Sequence, residues 1–319
     1  MLPKQVKQSR FLNIMVLWTV VCGLWTANAA AQNHITDTTA EIVTYWKQGE
    51  SRLLQIVNTR EKYFNEALVF KTKSASDVLM TVQEARDTTY VIDWLYKETT
   101  VSETEEPIAK RLAEISNGFR IEYQTNETGM FQKLLNYAEM EKFYAKGMEK
   151  MYQQYGVDTT NDMLLKVLES IFVRKEIIDG TFTKEIKLFH MPFGAEYNLN
   201  KTNEEIITLP HPFMDDTIQT VLKFQLTKID LPGMMATLEC VQQITRKDSE
   251  RILNVYHKKM EGMNQKPDPR AKPFESIYKT TYDIELVSGW LSKVTYEQTS
   301  IYDHITQKDI TTITTQPIK

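Results

Sequence analysis

The chain has 319 residues, of which 42% are hydrophobic, 25% charged and 10% aromatic, with 11 Gly and 10 Pro. That balance belongs to a folded globular protein and excludes collagen-like, low-complexity and disordered chains, while two cysteines exclude a disulfide-dense scaffold. A formal net charge of −4, with no window dominated by Lys and Arg, excludes a nucleic-acid binder, which needs a basic stripe to displace phosphate counterions.

Residues 1–31 read as an export signal. Lys4, Lys7 and Arg10 precede an apolar run from Phe11 to Trp25, and Ala27-Asn28-Ala29 and Ala29-Ala30-Ala31 supply small residues for cleavage before Ala30 or Gln32. The run is too short for a spanning helix, which needs about 20 apolar residues. The expected product is therefore a periplasmic or secreted protein, 32–319, without a stable transmembrane anchor. Cleavage removes basic residues and no acids, so the mature chain is more acidic than the precursor.

The mature chain is expected to open with a short helix, Thr38 to Gln48, stopped by Gly49. Strands follow at Arg52–Thr59, Ala67–Lys73, Val78–Arg86 and Tyr90–Lys97; in the last, period-two spacing puts Tyr90, Ile92, Trp94 and Tyr96 on one face. A helix is expected from Thr104 to Asn117. Two longer central helices come next, one opening at Asn136 with Glu139 as a capping-box partner and closing at Gly156, the other from Thr159 or Thr160 to Asp179-Gly180. Strands are expected at Lys184–Met191, Glu204–Leu209, Ile218–Asp230 and Met235–Thr245, then a helix from Ser249 to Glu261 with Asp248 as N-cap, then a proline-rich loop from Met263 to Pro273. The C-terminal segment alternates as a meander: Tyr278 to Leu286, a turn at Ser288-Gly289, Trp290 to Tyr296, and Ile310 to Thr315.

Strands interrupted by irregularly placed helices give an α+β fold with a mainly antiparallel, curved sheet and two central helices packed on it. An open barrel built from two similar halves, about 50–156 and 181–319, is one form of it. The halves are suggested by an echo: Phe119-Arg120-Ile121-Glu122-Tyr123 with Gly129-Met130-Phe131-Gln132-Lys133-Leu134 matches Tyr278-Lys279-Thr280-Thr281-Tyr282 with Gly289-Trp290-Leu291-Ser292-Lys293-Val294. Strand alternation alone produces much of this match.

Together with the signal, Gln48-Gly49-Glu50, Leu134-Leu135-Asn136-Tyr137-Ala138-Glu139, Leu209-Pro210-His211-Pro212-Phe213, Tyr282-Asp283 and Ser288-Gly289-Trp290 resemble uncharacterised exported proteins of the type common in Bacteroidota. That resemblance implies no activity.

Catalytic and metal motifs are missing from the sequence. The histidines at 34, 190, 211, 257 and 304 form no pair at zinc-ligand spacing, and Gly-x-Ser-x-Gly and phosphate loops are absent, so no metal and no cofactor is expected. Cys240, flanked by Glu239 in an alternating stretch, reads as a buried hydrophobe. Two functional readings remain. One is a non-enzymatic exported protein that binds an apolar small molecule or a cell-envelope protein, with Tyr90, Trp94, Tyr282 and Trp290 lining a ligand site on the sheet. The other is a secreted hydrolase with a dispersed site built from His190, His211 and Asp215. The export reading has its own check: the intact mass of protein recovered outside the cytoplasm should lack residues 1–29 or 1–31, and a mass that retains them removes the argument for export.

Overall fold

A computed structural model of the chain describes residues 35–102, 107–155, 183–210, 217–262, 274–302 and 304–318. Eleven of its strands form one curved antiparallel sheet that does not close into a barrel. The first wing runs β2 (Ser51–Phe64), β3 (Ala67–Arg86), β4 (Thr89–Ser102), β5 (Arg120–Asn126) and β6 (Phe131–Leu134). The second runs β8 (Thr202–Pro210), β9 (Thr217–Asp230), β10 (Met235–Ile244), β11 (Glu275–Glu285), β12 (Leu291–Tyr302) and β13 (Ile305–Pro317). The wings meet where β2 pairs with β13, from Phe64↔Ile305 to Arg52↔Pro317. Each wing is contiguous in sequence, and the expected strand Phe119 to Tyr123 lies in the same sheet as the expected hairpin of Tyr278 to Leu286 with Trp290 to Tyr296.

Among the described residues the helices are α1 (Pro107–Ser116), α2 (Tyr137–Tyr155), α3 (Lys184–His190) and α4 (Arg246–Gly262). Helix α2 is the first expected central helix; Met140 and Tyr144 are buried, and Tyr144 sits edge-on to Phe119 with ring centroids 4.7 Å apart. The second expected central helix and the proline-rich segment lie outside the described residues. Asn136 does not cap α2 as a capping box would. Its side-chain amide instead accepts from Glu122 N at 2.8 Å and donates to Arg120 O at 3.0 Å, standing in for a backbone partner beside β5. At α4 the box is shifted by three residues, with Thr245 and Asp248 exchanging hydrogen bonds while Asp248 also accepts from Gln219 N.

Three expectations are corrected. Thr38 to Gln48 is not helical: β1 (Thr39–Ile42) pairs with β7 (Ala195–Asn198), and an extended strap follows. Ala40, Ile42, Thr44 and Trp46 are buried while Glu41, Val43, Tyr45 and Lys47 are less so, a period of two that only extended backbone satisfies. Lys184 to Met191 is helical where a strand was expected. Ile186, Leu188 and His190 fit a strand face, but Ile186, Phe189 and His190 fit a helical stripe equally well, and packing over the inner face of the sheet selects the helix. The strands expected at Ala67–Lys73 and Val78–Arg86 are one strand, β3, with Ser76 and Asp77 in its middle.

The strap holds the wings together. Thr44 N donates to Thr128 O at 3.3 Å, Tyr45 N donates to Ser288 O at 3.2 Å, and Gly49 N donates to Val82 O at 2.8 Å. The two glycines of the echo, Gly129 (φ 98°) and Gly289 (φ 71°), turn the chain beside this strap, and both abut Thr44. A methyl group on Gly289 would overlap the Val43 carbonyl oxygen and lie 2.8 Å from Thr44 Cα. Gly49 also has a positive φ, of 82°, but faces open space. Gly289→Ala is expected to lower unfolding free energy by about 3 kcal/mol, against about 1 kcal/mol for Gly49→Ala; urea unfolding of the two variants measures the difference, and equal losses would mean that the strap yields.

Candidate functional site

The sheet's inner face is a grid whose rows cross the seam between the wings. One row reads Ile56, Ile313, Val294, Tyr282, Leu238 and Leu226 across six strands. The next reads Asn58, Thr311, Tyr296, Thr280 and Cys240, and the one after it Arg60, Asp309, Gln298, Tyr278 and Gln242. The inner face thus changes from apolar to polar within two rows, and helix α3 lies over the boundary.

The apolar part is filled by the chain itself. Trp46, delivered by the strap, stacks on Trp290 at 4.7 Å and meets Tyr90, His190 and Phe193 at 5.7–5.8 Å. Trp94 meets Phe189 of α3 edge-on at 6.1 Å. Of the four aromatic residues read from the sequence as ligand contacts, Trp94, Tyr282 and Trp290 have no exposed surface, and Tyr90 is half-buried with its hydroxyl donating to Thr44 O at 3.3 Å. The Tyr282 hydroxyl donates to Leu188 O at 3.2 Å, and Trp290 Nε1 donates to Glu50 Oε1 at 2.8 Å. Trp94, Tyr282 and Trp290 belong to one hydrophobic core, with Tyr90 packed against it, and a ligand reaches those three only when the strap or α3 moves aside.

His190 is sealed in the same cluster. Its Nδ1 lies 2.6 Å from Gly129 O, which can only accept, so Nδ1 carries the proton and Nε2 accepts from the Tyr123 hydroxyl at 2.8 Å. Burial, partly opposed by the Gly129 carbonyl, pushes its pKa down to about 4. Both ring nitrogens are therefore engaged, in a neutral ring that ties α3 to the Gly129 turn. His211 and Asp215 lie outside the described residues. Cys240 is buried among Tyr282 and Tyr197, and burial pushes its thiol up to about 12, far from a reactive thiolate.

The polar part is knit together by side chains. Thr311 donates to Asn58 Oδ1 at 2.6 Å, Arg60 Nε to Asp309 Oδ1 at 2.6 Å, and Gln307 to Asp309 Oδ2 at 2.7 Å; Ser76 pairs with Thr99, and Ser276 with Ser300, at 3.0 Å. Between this lattice and the start of α3 is a cleft of about 300 Å3. A second recess, of about 460 Å3, lies beside Arg120, Leu135, Asn136 and Phe143 at the β5 edge. Sequence reasoning missed Trp46, Tyr123, Asn58, Arg60, Glu185 and Asp309. The alternation Ala40, Ile42, Thr44, Trp46 could have found the first. The polar lattice leaves no local signal, because it appears only once β2 is laid against β13.

No family model matches the sequence, and no curated protein is similar to it. Among solved structures the chain is similar to lipovitellin, in a structure of its lipid–protein interactions, at 6% identity and a TM-score of 0.43 over 86% of this chain and 26% of that one. It is also similar to an outer membrane channel from Pseudomonas putida F1, at 8% identity and a TM-score of 0.16 over 86% of this chain and 98% of that one. The chain spans about a quarter of the lipovitellin chain, and at these TM-scores neither likeness bears on function.

The state of His190 sets a pH dependence. Its folded pKa lies below that of the unfolded chain, so the unfolded state takes up a proton first as pH falls. Stability from this group is fully present above about pH 6.5 and is lost progressively toward pH 4, by about 2–3 kcal/mol. Urea unfolding at pH 7 and pH 4.5 should show that the loss is smaller by about this amount in His190→Gln than in the parent; equal losses would mean that His190 is protonated in place.

Proposed function

We propose that the protein is an exported, non-enzymatic binding protein of the cell envelope that contacts a lipid surface through the tip of the β2–β3 hairpin. The observation that carries this reading is an apolar lip: Phe64, Leu68 and Val69 lie at the tip, Phe64 and Leu68 on opposite faces of the hairpin, and are 50%, 52% and 59% exposed. Adjacent exposed apolar side chains on a hairpin tip are costly in water unless something covers them. The lip is braced, since Asn65 N donates to His304 O at 2.9 Å and ties the tip to the neighbouring β12–β13 connection. Exposed Lys62, Lys71, Lys73 and Lys308 lie around it and outnumber Glu61, which pairs with Lys71, and Glu66 at the tip, on a chain whose net charge is negative. That local excess of positive charge suits an anionic lipid surface.

The rest of the sheet argues against burial in a bilayer. Lys73, Lys223, Glu239, Lys279 and Glu297 are exposed on its outer face, spread over five strands, where a membrane barrel carries an apolar band. The contact is therefore peripheral. The internal engagement of His190 and the raised Cys240 pKa support the non-enzymatic half of the reading.

Co-sedimentation of the mature protein with mixed phosphatidylethanolamine–phosphatidylglycerol vesicles tests this. Partition is expected, weaker on phosphatidylcholine, and the Phe64→Ser, Leu68→Ser, Val69→Ser triple variant should bind about ten to a hundredfold less, with an unchanged melting temperature. Failure to partition into either vesicle, or equal binding by the triple variant, overturns the assignment.

A further inference from the structure

The polar rows occupy a place where the fold would otherwise put its core. Asn58, Arg60, Ser74, Asp309 and Thr311 point to the same side of the sheet as Leu54, Ile56, Val78 and Ile313, which have 0–1% of their surface exposed. Inward-facing polar side chains cost stability unless each is paired. Asn58, Arg60, Asp309 and Thr311 are paired laterally, across strands, in a lattice that keeps its outermost polar atoms for the cleft.

Those outward-aimed atoms define what the cleft can hold. Arg60 commits Nε to Asp309, and its two terminal guanidinium nitrogens remain as donors. Asn58 accepts from Thr311 through Oδ1 and reaches Glu185 Oε1 only at 3.5 Å, which leaves its amide nitrogen underused. Thr72 and Ser74 add hydroxyls from β3, and Lys184 and Glu185 close the cleft from α3. The charges balance: Arg60 and Lys184 against Asp309 and Glu185. An inorganic anion would meet two carboxylates and a cation two positive groups. An apolar ligand would strip water from the guanidinium and amide groups without replacing its hydrogen bonds. What fits is a neutral ligand that offers donors and acceptors on adjacent atoms.

We propose that the cleft between Asn58, Arg60, Thr72, Ser74 and Asp309 of the sheet and Lys184 and Glu185 of α3 is a binding site for a neutral, hydroxyl-rich ligand of the saccharide class. Vicinal hydroxyls match the side-by-side donors and acceptors of the Arg60–Asp309 and Asn58–Glu185 pairs. A volume of about 300 Å3 is at the small end of ligand pockets and suits a mono- or disaccharide. The site is separate from the apolar lip and does not rest on it.

Saturation-transfer difference NMR and titration calorimetry of the mature protein with glucose, galactose, N-acetylglucosamine and cellobiose test the proposal. Saturable binding of at least one sugar is expected, with a dissociation constant on the order of 1 mM or tighter. Thr72→Val should weaken it about tenfold or more with an unchanged melting temperature, and Arg60→Met should weaken it at least as much while lowering the melting temperature, because Asp309 loses its partner; the Phe64, Leu68, Val69 triple variant should bind the sugar as the parent does. The absence of saturable binding by any of the four at about 20 mM, or sugar binding indifferent to both cleft variants, overturns the proposal. So does competition for the cleft by inorganic phosphate, which would make it an anion site.

Discussion

The insertion of one extended strap into the mouth of the sheet is the constraint on which the other features depend. A curved antiparallel sheet open at both edges has an inner face too large for its own side chains to fill. The strap supplies the missing layer: Thr44 and Tyr45 bond to turns of opposite wings, and Trp46 occupies the centre of the aromatic cluster. Both turns use a glycine with positive φ because a Cβ would collide with the strap. Glu50 extends the anchorage by accepting from Trp290 Nε1 and pairing with Arg52, whose guanidinium lies 4.9 Å from the centre of the Trp290 ring. Removal of Trp46 would therefore open the apolar half and loosen both wings together.

The contrast between the two halves of the inner face follows from what covers them. The apolar half is closed by rigid aromatic packing, and two of its hydroxyls are used internally: Tyr123 on His190 and Tyr282 on Leu188 O. The polar half is braced sideways. Its cross-strand pairs, Thr311 with Asn58 and Arg60 with Asp309, satisfy buried groups within the sheet itself, and among the described residues the start of α3 borders them. The sheet thus fixes its shape at one end and leaves hydrogen-bonding capacity at the other.

The meander from Tyr278 onward, the strand at Tyr90 and the shared sheet were legible in the sequence because a sheet with one buried face enforces period-two alternation. Residues 38–48 and 184–191 were misread for opposite reasons. The first carries alternation that Gly49 disguised as a helix stop; the second satisfies both periods, and only its packing over the sheet decides. The aromatic residues were correctly placed on one face, but a sequence does not show that Trp46 arrives from elsewhere to cover them. The polar cleft was illegible for a deeper reason. Asn58 and Thr311 are 253 residues apart and acquire meaning only through the register of the seam.

That seam also dictates the order in which the molecule can be assembled. Each wing is built from neighbours in sequence and can form by local pairing, but β2 and β13 belong to opposite ends of the described chain, with Arg60 and Asp309 separated by 249 residues. Until they meet, the nascent trough presents two long unpaired strand edges, the arrangement most open to pairing with the wrong molecule. Closure carries a large loop entropy and makes the final step slow. The ion pair and the Asn58–Thr311 bond at the seam then act as a register check, since a slip of one residue would put Arg60 and Asp309 on opposite faces of the sheet.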